Sequence, residues 1–367
     1  MKIAVITDQH FGVRNCDDVF YNYQMKFYDE IFFPYLKNNN ITTVFNCGDI
    51  TDRRKYISYK TLNRLRLNYI YKLRDMGVTQ HNIIGNHDTT YKNTNKINSM
   101  DELFSGVENF KTYSDPTEVE FDGLKMLFLP WICEDNAKQS YELIDTTDAK
   151  IVFGHLEICG FEMYRGSVMH EGSDASTFSK FDVVYSGHYH HKSSRGNIHY
   201  LGAPCEYTWS DYADDRGFHV FDTDTKTIEY IKNPFRIFHK ISYDDSAFTS
   251  TEQKVNLISK FSSAVEKYNG CHVKVVVAKK TDMALFEEFV DKLYKANPAD
   301  VSIVEPMYET VSYDDVNSVD ILSQDTLSIL TSAVDGVSLL DDDEKKDLQA
   351  FIGVLYSDAL QAKIETG

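Results

Sequence analysis

Asp8 and His10 stand two positions apart at the end of the apolar run KIAVIT. Four further apolar runs end in the same kind of residue. TTVFNCG delivers Asp49, HNIIG delivers Asn86 and His87, AKIVFG delivers His155, and DVVYSG delivers His188 and His190. Hard oxygen donors together with imidazole nitrogens suit manganese, iron, zinc or magnesium rather than a thiolate-type site. Each motif alone is commonplace, because Asp-x-His pairs and single histidines occur in ordinary cores and loops. Five in succession, each directly after a strand-like run, point to one metal-dependent centre.

Positioning such a centre requires strands that end together. Short β-branched runs closed by a turn residue read as buried strands. In an α/β sheet, ligands gather just beyond the carboxyl ends of such strands. Glycines precede Asp49, Asn86, His155 and His188, where the backbone is expected to turn sharply and approach the site closely. Between the strands, helices are expected over 18–36, 58–76 and 98–104. In the second, Leu62, Leu65, Tyr69, Leu73 and Met76 share one helical face. Leu67, Ile70 and Tyr71 fall outside that face and are expected to leave more apolar outer surface than one core contact needs. A strand at 125–129 runs into Pro130-Trp131. Strands at 198–201, 217–221 and 227–231 are expected to be antiparallel, with a hairpin turn at 222–225.

After Asn233-Pro234 the pattern changes to strand, helix, strand, helix, strand over 237–304. The expected organisation is a catalytic domain over 1–235 and a small α/β domain over 236–304. An acidic linker over 305–324 and a helical arm over 325–367 follow. In the arm, Leu327, Leu330, Val334 and Val337, then Leu348, Phe351, Ile352, Leu355 and Leu360, recur at helical spacing.

Composition narrows the class. The 367 residues carry a net charge of −18, which by itself argues against non-specific nucleic-acid affinity. The charge is uneven, with 14 acidic and 3 basic residues from position 301 onward. No apolar run approaches the ~20 residues of a membrane span. The first residues lead straight into a strand rather than a secretory leader. The six cysteines are scattered without a Cys-x-x-Cys pair, which fits reduced thiols in the cytoplasm.

Taken in order, Asp8-x-His10, Gly48-Asp49-x-x-Asp52, Gly85-Asn86-His87-Asp88, Gly154-His155 and Gly187-His188-x-His190 resemble the calcineurin-like metallophosphoesterase superfamily. The resemblance spans residues 1 to about 225. It implies an α/β fold, a β-sandwich flanked by helices, with a small α/β capping domain and a C-terminal helical arm. It places Asp8, His10 and His190 on one metal ion and Asn86, His155 and His188 on the other, with Asp49 bridging. His87 becomes the proton donor and does not bind metal. Two cations about 4 Å apart clamp the attacking and leaving oxygens at phosphorus, and an imidazole that titrates near neutrality can protonate the departing oxygen. Asp52 is expected to orient His87, and Arg53 to bind phosphate. His191 reads as a neighbour of the ligands, and Trp131 as a core or rim residue.

Finer resemblance is to the nuclease subunits of SbcCD-type DNA repair and recombination complexes, most nearly the T-even-like phage branch. KIAVITDQHFG, GDITDRRK, IIGNHDTTYKN, LPWICEDN, VYSGHYHHKS, YLGAPCEYTWSD and DDRGFHVFDT carry it. It implies a manganese-dependent nuclease, with magnesium as the alternative ion. The implied activities are 3′-to-5′ exonuclease on duplex DNA and endonuclease on single strands or hairpins. The implied partners are DNA, an SbcC-like coiled-coil ABC ATPase and a second copy of the chain. Asp52 departs from cellular relatives, which often carry His there. The competing readings are a small-molecule phosphodiesterase or protein phosphatase, disfavoured by Arg54 and Asp88, and a non-catalytic scaffold, disfavoured by the intact motif set.

Overall fold

Alternation along β1 (Lys2–Ile6) sets the architecture. Ile3 and Val5 point to one side and Ala4 and Ile6 to the other, and all four are buried. A strand buried on both faces must lie inside a layered structure. The strands that follow are β2 (Thr43–Asn46), β3 (Thr79–Ile83), β4 (Phe110–Tyr113), β5 (Thr117–Phe121), β6 (Leu124–Leu129) and β7 (Ile151–His155). After a small hairpin of β8 (Glu162–Tyr164) and β9 (Ser167–Val168) come β10 (Val183–Gly187), β11 (Ser193–Arg195), β12 (Ile198–Tyr200), β13 (Gly217–Asp222) and β14 (Thr227–Lys232). This computed structural model describes residues 1–305 and the isolated positions Val334, Lys345, Leu348 and Gln349. Apart from Glu305 and those four positions, the expected linker and helical arm lie outside the described residues.

Two six-stranded sheets form, ordered β14-β13-β1-β2-β3-β4 and β11-β12-β10-β7-β6-β5. They face each other across Ile3, Val5, Phe45 and Ile83 on one side and Met126, Phe128, Phe153 and Tyr185 on the other. Phe45 is central, its ring within 4.8 Å of Phe121, 4.9 Å of Phe128 and 5.2 Å of Phe153. Removing such a ring typically costs about 3–5 kcal/mol. The outer faces are covered by helices, so the catalytic part is a helix-flanked β-sandwich, as the resemblance implied.

The first covering helix begins at Asp17, whose side chain accepts from the N–H groups of Val19 and Phe20. It runs through Asp18–Phe27, a π turn at Tyr28–Phe32, and Phe33–Asn38. The second is capped by Ser58 and runs through Tyr59–Leu65, a π turn at Arg66–Ile70, and Tyr71–Asp75. The π turns rotate the helical faces, which the regular period did not anticipate. As a result Ile70 is fully buried and Tyr71 packs partly against the core, leaving only Leu67 exposed of the three residues expected on the outer surface. A helix at Ala137–Thr146 was not foreseen. The expectation for 198–201 also needs correction. β12 lies parallel to β10 and antiparallel only to the short β11, while β13 and β14 pair antiparallel in the other sheet.

Downstream, β15 (Phe238–Asp244), β16 (His272–Lys279) and β17 (Asp300–Val304) form a parallel three-stranded sheet. Helices Thr251–Ala264 and Met283–Lys295 cover one face, with Val273, Val275, Phe286, Phe289 and Leu293 in the shared core.

Candidate metal centre

Parallel pairing brings the chemistry together. β1, β2 and β3 are parallel neighbours, so the loops carrying Asp8, Asp49 and Asn86 leave the same edge of the first sheet. In the second sheet β7 and β10 are parallel neighbours with Gly187 opposite His155, which places His155 and His188 beside each other. The ligand loops are tightly wound. Asp8 (φ 50°), His10 (φ 47°), Asp49 (φ 56°) and His188 (φ 90°) all sit in left-handed backbone conformations, which cost about 1–3 kcal/mol each outside glycine. Gly48 has φ +101°, and a Cβ there would strike the His155 ring. At Gly187 a Cβ would collide with Thr7 Oγ1 and lie 2.6 Å from the Cys47 carbonyl oxygen.

One group of donors comprises Asp8, His10 and His190. His10 Nε2 lies 3.0 Å from His190 Nε2 and 4.0 Å from Asp8 Oδ1, and His190 Nε2 lies 3.9 Å from Asp8 Oδ1. A second group comprises Asn86, His155 and His188. Asn86 Oδ1 lies 2.9 Å from His155 Nε2 and 2.8 Å from His188 Nδ1. Asp49 Oδ2 stands between the groups, 3.9 Å from His10 Nε2 and 3.4 Å from His155 Nε2. Asp8 also approaches the second group, since its carboxylate joins Asp49 and His155 within 4.8 Å. The structure therefore brings together every residue that the sequence assigned to metal.

The donor chemistry fits cations. His155 Nδ1 is 2.8 Å from the carbonyl oxygen of Cys47. A carbonyl only accepts, so Nδ1 carries the proton and Nε2 offers its lone pair to the centre, the usual arrangement behind a ligating histidine. His10 and His190 turn their Nε2 atoms toward each other, and the Nδ1 atoms behind them are buried without a hydrogen-bond partner. With the proton on Nδ1 in both rings, the two Nε2 lone pairs would meet at one point and suit a shared cation.

In the bare cradle the acids favour a proton on His155 Nε2, and a bound cation would take the place of that proton. Burial opposes ionisation of Asp49, yet His155, with His87 and His10, holds its carboxyl well below the usual range. Burial likewise disfavours a charged His155, but Asp49 and Asp8 carry it up to about 9. Burial lowers His188 to about 3 and holds His10 well below its ordinary value.

His87 sits at the rim, its ring centroid 4.9 Å from that of His10. The main-chain N–H of His87 donates to Asp49 Oδ1 at 2.7 Å. The expected help from Asp52 comes through a different atom. His87 Nδ1 lies 2.6 Å from the main-chain carbonyl oxygen of Asp52, while the Asp52 carboxylate lies 3.8 Å from His10 Nδ1. Arg53 is half-buried with its guanidinium 4.9 Å from the Tyr56 ring centroid. Its neighbour Arg54 stacks on Trp131 at 5.1 Å, with Nη1 buried and unpartnered. His191 is not turned to the centre and pairs with Asp214 at 2.9 Å.

Three supporting residues escaped the sequence reading. Asp88 accepts from the N–H groups of Asp49, Gly85, Ile50 and Thr51. The Tyr207 hydroxyl reaches the carbonyl oxygens of Asp8 at 2.9 Å and Gln9 at 2.7 Å. Arg216 is buried, donates to the His190 carbonyl oxygen, and pairs with Asp211 at 2.9 Å and Asp214 at 3.0 Å. Asp88 and Arg216 lie inside recognisable motifs, but their roles depend on main-chain groups that no side-chain pattern reveals.

Comparison with known proteins gives the same family. Over 362 residues the chain is 32% identical to exonuclease subunit 1 of Enterobacteria phage T4, a match covering 98% of this chain and 100% of the phage protein. The solved structure of a novel archaeal phosphodiesterase is similar over 64% of this chain and 100% of its own, at 16% identity and a TM-score of 0.31, too slight a likeness to argue from. Residues 1–192 match the model of the calcineurin-like phosphoesterase family. With its sandwich and its converging donors, this chain belongs to the calcineurin-like phosphoesterase family.

Proposed function

We propose that this protein is a two-metal DNA nuclease, a 3′-to-5′ exonuclease on duplex DNA and an endonuclease on single-stranded or hairpin DNA. The observation that carries the reading is the Asp49 oxygen standing between two donor groups, with His87 at their rim. The near full-length similarity to a phage exonuclease subunit supports a nucleic-acid substrate. Asp8, His10 and His190 would hold one cation and Asn86, His155 and His188 the other, with Asp49 shared between them. When bound, the pair supplies positive charge that polarises the phosphodiester and acidifies water at neutral pH. Manganese is the proposed ion, with magnesium as the second choice.

The side chains around the cradle divide the remaining work. With Nδ1 held by the Asp52 carbonyl oxygen, His87 presents Nε2 to hold a proton and pass it to the leaving oxygen. Asp52 fixes that ring through its main chain. Arg53, whose guanidinium lies 4.9 Å from the Tyr56 ring centroid, binds a non-bridging phosphate oxygen.

The proposal extends to assembly. Residues 236–304 act as the capping domain, and the helical arm over 325–367 binds a coiled-coil ABC ATPase in the cytoplasm. A second copy of the chain pairs through the helices around 58–76 and 97–105, where Leu67 is 54% exposed and Tyr59 92% exposed. The test is degradation of end-labelled linear duplex by the full chain with manganese, with and without the ATPase. Nucleotide release from 3′ ends is expected. A chain that cleaves only phosphomonoesters or small diesters under these conditions is not a nuclease.

A further inference from the structure

Two lysines face each other where repulsion should have removed one of them. Lys240 on β15 is the direct register partner of Lys274 on β16. Like charges directly opposite on neighbouring strands destabilise a sheet. Their strand neighbours Ile241, Val273 and Val275 belong to the helix-covered core, so alternation turns both lysines toward the catalytic sandwich. There, Lys240 Nζ lies 4.6 Å from the centroid of the Tyr212 ring, and Lys274 Nζ 4.5 Å from that of Trp209. Both are half-buried. Burial lowers the pKa of each, and Lys274 lowers Lys240 further. The chain holds 56 acidic against 38 basic residues, yet neither lysine joins an ion pair among those of the described residues. Partial desolvation, mutual repulsion and missing counter-charge together describe a site that gains from an anion.

Its place in the fold narrows which anion. Trp209 and Tyr212 belong to the turn that follows Tyr207, the residue whose hydroxyl reaches the carbonyl oxygens of Asp8 and Gln9. Asp211 of the same turn holds Arg216, which donates to the carbonyl oxygen of His190. The turn therefore supports the metal centre on one side and carries the lysine pair on the other.

Resting on the nuclease reading above, we propose that Lys240 and Lys274, on their platform of Trp209 and Tyr212, form a second phosphate-binding site. It holds the backbone of the nucleic-acid strand beyond the phosphate under attack. Charge-assisted contacts from two ammonium groups to one phosphodiester relieve their repulsion when DNA binds.

The test is the double substitution Lys240→Gln with Lys274→Gln in the full chain. Binding of a fluorescein-labelled linear duplex is followed by anisotropy across a salt series, with His87→Ala added to both proteins to prevent cutting. The Gln pair should weaken binding about tenfold at low salt and flatten the log–log salt slope by roughly 0.9 per lost phosphate contact. With His87 intact, manganese-dependent hydrolysis of bis(p-nitrophenyl) phosphate should stay at the parental level. Lys240→Arg with Lys274→Arg should bind duplex as the parent does. Unchanged affinity and slope in the Gln pair overturn the site, as does loss of small-diester hydrolysis in it or loss of duplex binding in the Arg pair. If the parent hydrolyses the small diester but neither binds nor cuts DNA, the nuclease reading falls and the site falls with it.

Discussion

The Asp88 carboxylate accepts the main-chain N–H of Asp49 at 2.8 Å, so the residue between the two donor groups is held from behind by a second buried acid. The same carboxylate takes the N–H of Gly85 at 3.0 Å and of Ile50 at 3.0 Å. It thereby ties the loop after β2 to the loop after β3. Asp88→Asn replaces one accepting oxygen with a donor that faces other donors. The expected result is destabilisation of about 2–4 kcal/mol, the scale of a buried donor left unsatisfied beside a lost charged hydrogen bond. Urea unfolding in chelator measures it. A change within 0.5 kcal/mol, the range of ordinary surface substitutions, would contradict this role.

His87 is a proton carrier rather than a ligand in this scheme. His87→Asn should lower kcat about 10²–10⁴-fold while manganese affinity by calorimetry stays at the parental level. A collapse of manganese binding would make His87 a ligand and require a new assignment.

Arg216 connects His190 to two acids. Arg216→Met leaves Asp211 buried without its cation and takes one of the partners of Asp214, and should cost about 3–5 kcal/mol. Arg216→Lys keeps the charge but loses the fork that reaches Asp211, Asp214 and the His190 carbonyl oxygen together. That variant should fold and yet bind the first manganese ion more weakly, which calorimetry resolves. Parental metal affinity in the Lys variant would show that the guanidinium does not position His190.

Gly187→Ala tests how closely the two sheets approach at the centre. The added methyl meets Thr7 Oγ1, the Cys47 carbonyl oxygen and Asp8 Oδ2, none of which is a flexible chain end. Overpacking of this kind typically costs about 1–3 kcal/mol. The variant should lose manganese binding before it loses its fold. Circular dichroism with metal titration separates the two.

Glu206 gives a pH dependence away from the metal ligands. Its carboxylate accepts from Ile237 N at 2.9 Å and Phe238 N at 3.1 Å, and burial pushes it up from 4.5 to about 7. A carboxyl with a raised folded pKa binds its proton more tightly when folded. Its contribution is complete below pH 4.5, declines as pH rises toward 7, and is absent above that. At 1.36 kcal/mol per unit the upper bound is roughly 3 kcal/mol. Glu206→Gln should flatten the loss of stability between pH 5 and pH 8 in chelator, and an unchanged slope would contradict it.

The donors were legible because each is a side chain placed by a local rule. An apolar strand and a tight turn fix Asp8 or His155 wherever the strand lies. The supporting atoms were not legible for the opposite reason. The Asp52 carbonyl oxygen that holds His87, and the four N–H groups on Asp88, are main-chain groups whose positions depend on loop conformation. The π turn at Arg66–Ile70 turned Ile70 inward against the regular helical period. The pairing direction of β12 depended on β10, which lies across a connection too long for hairpin signals to describe.

The centre draws Asp8, Asp49 and Asn86 from beyond strands of one sheet and His155, at the end of β7, with His188 and His190 from the other, which makes it a strain gauge. Sliding one sheet over its partner changes the distance from Asp49 Oδ2 to His155 Nε2, 3.4 Å here, before it breaks a single rung within either ladder. A shear of the sandwich would therefore reach the donors before it reached either ladder, so metal affinity would report on sheet alignment well before unfolding did.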